Sequence, residues 1–104
     1  MKLNEYILCA AIWYKELPTM KFLPKNIDKG LVICGHRHGQ CINTLSTIAK
    51  LRTVTLAPDG VGEHEQGFLT NLNRFVDRKE GGKIAFTANQ TDKLKKTLFS
   101  EDLY

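Results

Sequence analysis

The apolar positions of this chain fall into dense blocks separated by polar stretches that carry Gly and Pro, and the spacing inside each block predicts an element. Ile7 to Trp13 is a continuous apolar run, the pattern of a strand buried on both faces or paired at a subunit contact. Lys15 to Lys29 holds Pro18 and Pro24 among scattered charges and reads as a loop, with room for a short edge strand around Met20 to Leu23. Gly30 to Cys34 is a second strand. After Gly35 the positions Cys41, Ile42, Leu45, Ile48 and Ala49 recur at helical spacing, which predicts a helix from roughly His38 to Leu51 packed on the sheet.

Thr53 to Leu56 is a short strand candidate, and Ala57 to Glu65 is a polar loop with Gly60 and Gly62. From Gln66 to Glu80 the order strand, turn, strand, helix is predicted. Asn71-Leu72-Asn73 suits a tight turn, because Asn tolerates left-handed backbone angles. Asp77 and Glu80 have the spacing of a capping box, although its first residue is usually Ser or Thr. The helix that follows runs roughly from Arg78 to Asn89, with Ile84, Ala85 and Ala88 on its buried face and Phe86 beside them. Gly81 and Gly82 within it each cost on the order of 1 kcal/mol relative to Ala, so an offsetting reason is required, such as close approach of another backbone. A basic linker from Asp92 to Lys96 leads to a tail, Thr97 to Tyr104, whose apolar residues predict docking. No internal repeat or low-complexity segment is visible.

These elements give one α+β domain over residues 1–104, an antiparallel or mixed sheet with two main helices. At 104 residues the chain supports a single modest core, so an elaborate site is expected between subunits. Fifteen Lys plus Arg against 11 Asp plus Glu give a net charge of +4. Much of the excess lies in the second half and mildly favours an anionic partner. Cys9, Cys34 and Cys41 are an odd number beside apolar runs, which predicts reduced, buried thiols in a cytoplasmic protein rather than a disulfide framework. The apolar run from Tyr6 to Tyr14 is about half of the ~20 residues that span a bilayer, so no membrane association is expected.

Two stretches carry candidate chemistry. Gly35-His36-Arg37-His38-Gly39-Gln40-Cys41 lies at a strand-to-helix junction, where main-chain amides, the positive helix end and Arg37 can face one anionic group. Zinc is an alternative there, since Cys34, His36, His38 and Cys41 are all zinc-ligand types, but their spacing matches no common zinc module. A catalytic alternative uses His36 or His38 as general base and Cys41 as nucleophile, with no partner pattern to complete it. Glu63-His64-Glu65 offers an assisted base, yet a polar loop is the usual home of such a trio. The second stretch brings Arg74, Arg78 and Lys79 to a helix N-terminus. Arg74 is expected opposite Phe68 or near Phe75, a planar bidentate donor beside a ring on which a base can stack. The plain alternative for Phe68 and Phe75 is core packing, and for Asp77 a helix cap.

Taken together, Gly35-His36-Arg37-His38, Gln66-Gly67-Phe68, Asn73 to Glu80, Ile84-Ala85 with Ala88-Asn89-Gln90, and Leu98 to Tyr104 resemble the phage Thoeris anti-defence proteins of the first type. The second half is the specific part. The resemblance implies a small oligomeric α+β protein, a dimer or hexamer, that traps cyclic ADP-ribose isomers or related cyclic nucleotide signals without cleaving them and needs no cofactor. It implies ligand contacts from Arg37, His38, Phe68, Asn73, Arg74, Phe75, Asp77 and Arg78. Cations would hold the diphosphate, an aromatic face the adenine, and amide or carboxylate groups the ribose hydroxyls. The chain departs from the family pattern at Gly81-Gly82, where helix-forming small residues are expected, and at Asn89, where Gly is expected. Asn is itself an acceptable left-handed cap. The rival expectations are a small nucleotide hydrolase using His36 and His38, and a nucleic-acid-binding module using the basic C-terminal half. The latter has weak support, because aromatic and basic residues do not alternate along a recognised module.

Overall fold

In the computed structural model the described residues are 4–51 and 62–104. The strand expected over Thr53 to Leu56 lies outside them, as does most of the loop after it. The described strands are β1 (Ile7–Tyr14), β2 (Leu31–Gly35), β3 (His64–Thr70) and β4 (Phe75–Asp77). The helices are α1 (His38–Leu51) and α2 (Arg78–Thr87), and a single 3-10 turn covers Ser100–Asp102. The strands form one antiparallel sheet in the order β2-β1-β3-β4.

Because β1 is central, it must be covered on both faces, and Ala10, Ala11 and Ile12 are all fully buried. Alternation sorts its side chains between two layers. Ala10, Ile12 and Tyr14 face the helices. Ile12 and Tyr14 pack with Ile33, Cys41 and Leu45 under α1, and Ala10 packs with Phe68, Val76, Ala85 and Leu98 under α2 and the tail. Ala11 faces the other way, into a cluster with Val32, Phe75 and Ile27, closed by Met20 and Leu23 of the loop between β1 and β2. Ile7 belongs to the same layer as Ala10 although three positions separate them. The register shift between Ile7 and Cys9 accounts for this, since one extra residue in β1 returns Ile7 to the helix side.

The loop over residues 15–30 does not form the edge strand expected around Met20 to Leu23. Its polar side chains act on strand edges instead. Asn26 exchanges two hydrogen bonds with the main chain of Phe75, accepting from its N–H at 2.8 Å and donating to its carbonyl at 2.6 Å. This satisfies the outer edge of β4. The Met20 thioether accepts the Val32 N–H on the outer edge of β2.

α1 forms over the expected span, but its apolar pattern is wider than the surface it covers. Cys41 and Leu45 are buried, whereas Ile42 and Ile48 remain exposed. α2 starts as its spacing predicted. Asp77 is the N-cap and accepts the Glu80 N–H at 2.7 Å, half of a capping box, because the Glu80 carboxylate turns to Arg74. The helix ends in a Schellman motif: Gln90 N–H donates to the Ala85 carbonyl and Asn89 N–H to that of Phe86, with Asn89 left-handed at φ 62°. Asn73 is left-handed at φ 58° in the β3–β4 turn. Of the face expected to be buried on α2, Ala85 is buried and Ile84 and Ala88 are half-buried, while Phe86 is exposed. The paired glycines have the anticipated reason. A Cβ on Gly82 would overlap the Lys95 carbonyl oxygen, and one on Gly81 would press on the Phe68 ring at 3.1 Å. Behind that close approach the tail docks through fully buried Leu98 and buried Ser100.

Candidate functional site

The strand-to-helix junction after β2 and the C-terminal tail come together. Tyr104 stacks on His36 with ring centroids 4.1 Å apart and an interplanar angle of 21°, and its hydroxyl donates to the His36 carbonyl at 3.0 Å. Arg37 lies over the same tyrosine ring, 5.2 Å from the centroid, and donates to the Tyr104 main-chain oxygen. Its Nη1 is enclosed with no acceptor among the described residues. The Arg37 main-chain N–H is taken by Gln40 Oε1, so it is not free for an anion as the sequence suggested.

Arg78, the first residue of α2, makes a second arginine–aromatic pair. Its guanidinium sits 4.7 Å from the centre of the Phe99 ring and donates to the Leu98 carbonyl and to Gln66 Oε1. Burial lowers its pKa and the nearby Glu101 carboxylate opposes that shift. His38, the first residue of α1, is buried edge-on against Phe68. Its Nε2 is 2.8 Å from the Gly67 carbonyl oxygen. A carbonyl only accepts, so Nε2 carries the proton and Nδ1 does not. Burial pushes the His38 pKa below its ordinary value and the positive charge of Arg78 adds to this, against the Gly67 hydrogen bond and Glu101. Gly67 is itself required, because a Cβ there would overlap the Val76 carbonyl oxygen across the β3–β4 pair.

The remaining residues inferred from sequence lie in a different corner or in the core. Phe68 is fully buried and Phe75 is 5% exposed. Both are core residues on opposite layers and neither offers a face for stacking within this chain. Arg74 is not opposite Phe68, whose partner across the pair is Val76. It forms a bidentate ion pair with Glu5, both contacts at 2.8 Å, and a third contact with Glu80 at 3.0 Å. The hydrogen bond from Arg74 holds Glu5 below the usual carboxylate range despite burial. Asn73 shapes the turn, with its carbonyl accepting the Lys25 N–H, and Asp77 is committed to its cap. Arg37, His38 and Arg78 therefore meet around the tail, while Asn73, Arg74 and Asp77 gather at the turn.

Beside the turn, an open cleft of about 610 Å³ is lined by Asn4, Glu5 and Tyr6 and by Thr87, Ala88, Asn89 and Gln90 at the end of α2. Gln90 holds its wall in place, accepting the Ile7 N–H at 2.7 Å and donating to the Ile7 carbonyl at 2.8 Å.

The cysteines differ from expectation in their burial. Only Cys41 is buried; Cys9 is half-buried and Cys34 exposed, and all three are free. Cys9 and Cys34 lie on the neighbouring strands β1 and β2, and the interaction between the two thiols lowers that of Cys9 and raises that of Cys34. Burial pushes Cys41 up to about 11. Among the described residues no three His, Cys, Asp or Glu side chains are grouped to hold a metal. His64 and Glu65 begin β3 rather than a loop, and Lys15 pairs with both Glu63 and Glu65. Among the described residues, no helix is long and apolar enough to cross a membrane.

Phe99 and Tyr104, the aromatic partners of the two arginines, were not singled out by sequence. The apolar character of the tail was the available signal. Searches of curated proteins and of solved structures find no match. The family described as Phage T4 y16D protein matches residues 6–104, nearly the whole length, and the chain therefore belongs to this phage protein family.

Proposed function

We propose that the protein is a phage anti-defence sponge that binds and sequesters cyclic ADP-ribose-type signals without cleaving them. The observation that carries this reading is the pairing of Arg37 with Tyr104 and of Arg78 with Phe99, which sets both guanidiniums against aromatic rings of the tail. Two guanidiniums suit a diphosphate, and Phe99 and Tyr104, 49% and 45% exposed, are surfaces on which adenine can stack. Membership of a phage protein family is compatible with this role, and the resemblance to the Thoeris anti-defence proteins supplies the ligand class.

Cys41 supports retention without turnover, because burial raises its thiol to about 11 and disfavours the thiolate that nucleophilic attack would need. A sponge also needs slow release, which enclosure between subunits supplies by desolvating the charged contacts. The uncovered Ile42 and Ile48 on α1 and Leu8 on β1 are the apolar surface from which a homo-oligomer would be built.

The test is incubation with cyclic ADP-ribose isomers, removal of free ligand, heat release and mass analysis of what was held. Intact ligand is the expected product. A linear product would instead establish a hydrolase, and no retention would remove the sponge reading.

A further inference from the structure

Two of the three thiols share one face of the sheet and take no part in the site described above. In the pairing of β1 with β2, Ala11 stands opposite Cys34 and Ala10 opposite Gly35. Side chains alternate along a strand, so Cys9 projects with Ala11 on the face away from the helices, and Cys34 projects on that face too. The pairing of Cys9 with Leu69 on β3 agrees, because Leu69 packs into the cluster of Ala11, Val32 and Phe75 on the same face. Cys9 and Cys34 are therefore diagonal neighbours across two paired strands. Cys41 lies on the opposite face, buried with Ile12 and Leu45.

A diagonal pair is farther apart than a directly opposed one, so its sulfurs meet only where both side chains lean together. Here they do meet. The interaction between the thiols lowers that of Cys9, against burial and with a further contribution from the Gly35 main chain, and raises that of Cys34. One thiol is thus poised to ionise while the other keeps its proton beside it. The loop that closes this face packs through Met20, Leu23 and Ile27 and leaves Cys9 half-buried and Cys34 exposed. Thiolate character and access are what thiol exchange requires.

We propose that Cys9 and Cys34 form a thiol–disulfide exchange site, which accepts small-molecule disulfides and closes to a reversible bond between β1 and β2. The Cys9 thiolate attacks one sulfur of a disulfide RSSR; the S–S bond breaks, and RS⁻ leaves and takes up a proton. Cys34 then gives up its proton and attacks the Cys9 sulfur of the mixed disulfide, releasing a second RSH. Two thiols of the chain are oxidised and one small-molecule disulfide is reduced to two thiols. The order follows from the pair itself. The Cys9 sulfur is what holds the Cys34 proton in place, and it no longer does so once it is bound in the mixed disulfide. The site does not depend on the sponge reading.

The test is treatment of the full chain with glutathione disulfide at neutral pH, followed by acid quenching and mass analysis of the intact chain and of its unreduced peptides. The parent chain is expected to lose two hydrogens, retain no glutathione, link the Cys9 and Cys34 peptides and leave Cys41 free, and excess reduced glutathione should reverse this. Cys34→Ser should stop at one glutathione on Cys9. Cys9→Ser should react about tenfold more slowly or worse, as loss of the favoured thiolate requires, and Cys41→Ala should react as the parent does. Absence of reaction, glutathione adducts that accumulate in the parent without linkage, or an undiminished rate in Cys9→Ser would overturn the proposal.

Discussion

Gly82 lies against the carbonyl of Lys95 so closely that no side chain fits between them. Since the obstacle is backbone, a methyl group there must displace the segment that carries Lys95 and Lys96. Gly82→Ala is expected to lower stability by about 1–3 kcal/mol, despite the better helix propensity of alanine. Gly81→Ala, facing the Phe68 ring and Leu98, should cost less because side chains can shift. Chemical denaturation of both variants checks the order.

The two phenylalanines of the β3 and tail regions separate core from site. Phe68→Ala removes a fully buried ring and is expected to cost about 3–5 kcal/mol. Phe99→Ala, at a half-exposed ring, should change stability by about 0.5 kcal/mol or less while lowering retention of cyclic ADP-ribose about tenfold, the scale of one lost stacking contact. Thermal melts and the retention assay on the same samples distinguish them.

The arginines divide in the same way. Arg74 is saturated by Glu5 and Glu80, and its partners are partly exposed, so Arg74→Gln is expected to cost about 1–2 kcal/mol of stability and leave ligand retention intact in the folded fraction. Arg37→Lys and Arg78→Lys should do the reverse, because a lysine reproduces the charge but not the planar stack on Tyr104 or Phe99. Equal loss of retention in all three variants would contradict this division.

His38 gives the fold a pH dependence of known sign. Its folded pKa lies below the ordinary value of 6.5, through burial first and then Arg78. Above that value both folded and unfolded chains hold it neutral, and its contribution is complete. As the pH falls below 6.5 the unfolded chain takes up a proton that the folded chain resists, and stability is lost. Melting temperatures measured down to about pH 5 should therefore fall more steeply for the parent chain than for His38→Gln, whose amide can still donate to Gly67 without titrating.

The sequence was most legible where a local rule decides the geometry. The span of α1, the turn with left-handed Asn73, the Asp77 cap and the need for a neighbour at Gly81-Gly82 all follow from residues within a few positions of one another. The site was less legible because its pairings are remote along the chain. Arg37 and Tyr104 are 67 positions apart and Arg74 and Glu5 are 69, and no periodicity reports such contacts. Phe68 and Phe75 were misjudged as stacking surfaces for a related reason. Their adjacency to arginines is local, whereas their burial depends on the tail over one face of the sheet and the residue 15–30 loop over the other. Asn26 shows the same limit, since nothing around it announces that its amide completes the edge of β4.

The central position of β1 also sets an order of assembly. Its pairing with β2 joins residues close in sequence, Tyr14 with Leu31 at the near end, whereas its other edge waits for β3, with Ile7 facing Thr70. During synthesis the Ile7–Tyr14 run must therefore emerge and remain half-paired until more than half of the chain has followed. Closing so long a loop is slow relative to hairpin formation, and the β3–β4 hairpin, turning on Asn73, is positioned to form first and dock as a unit. Aggregation of a nascent or truncated chain would begin at that waiting edge.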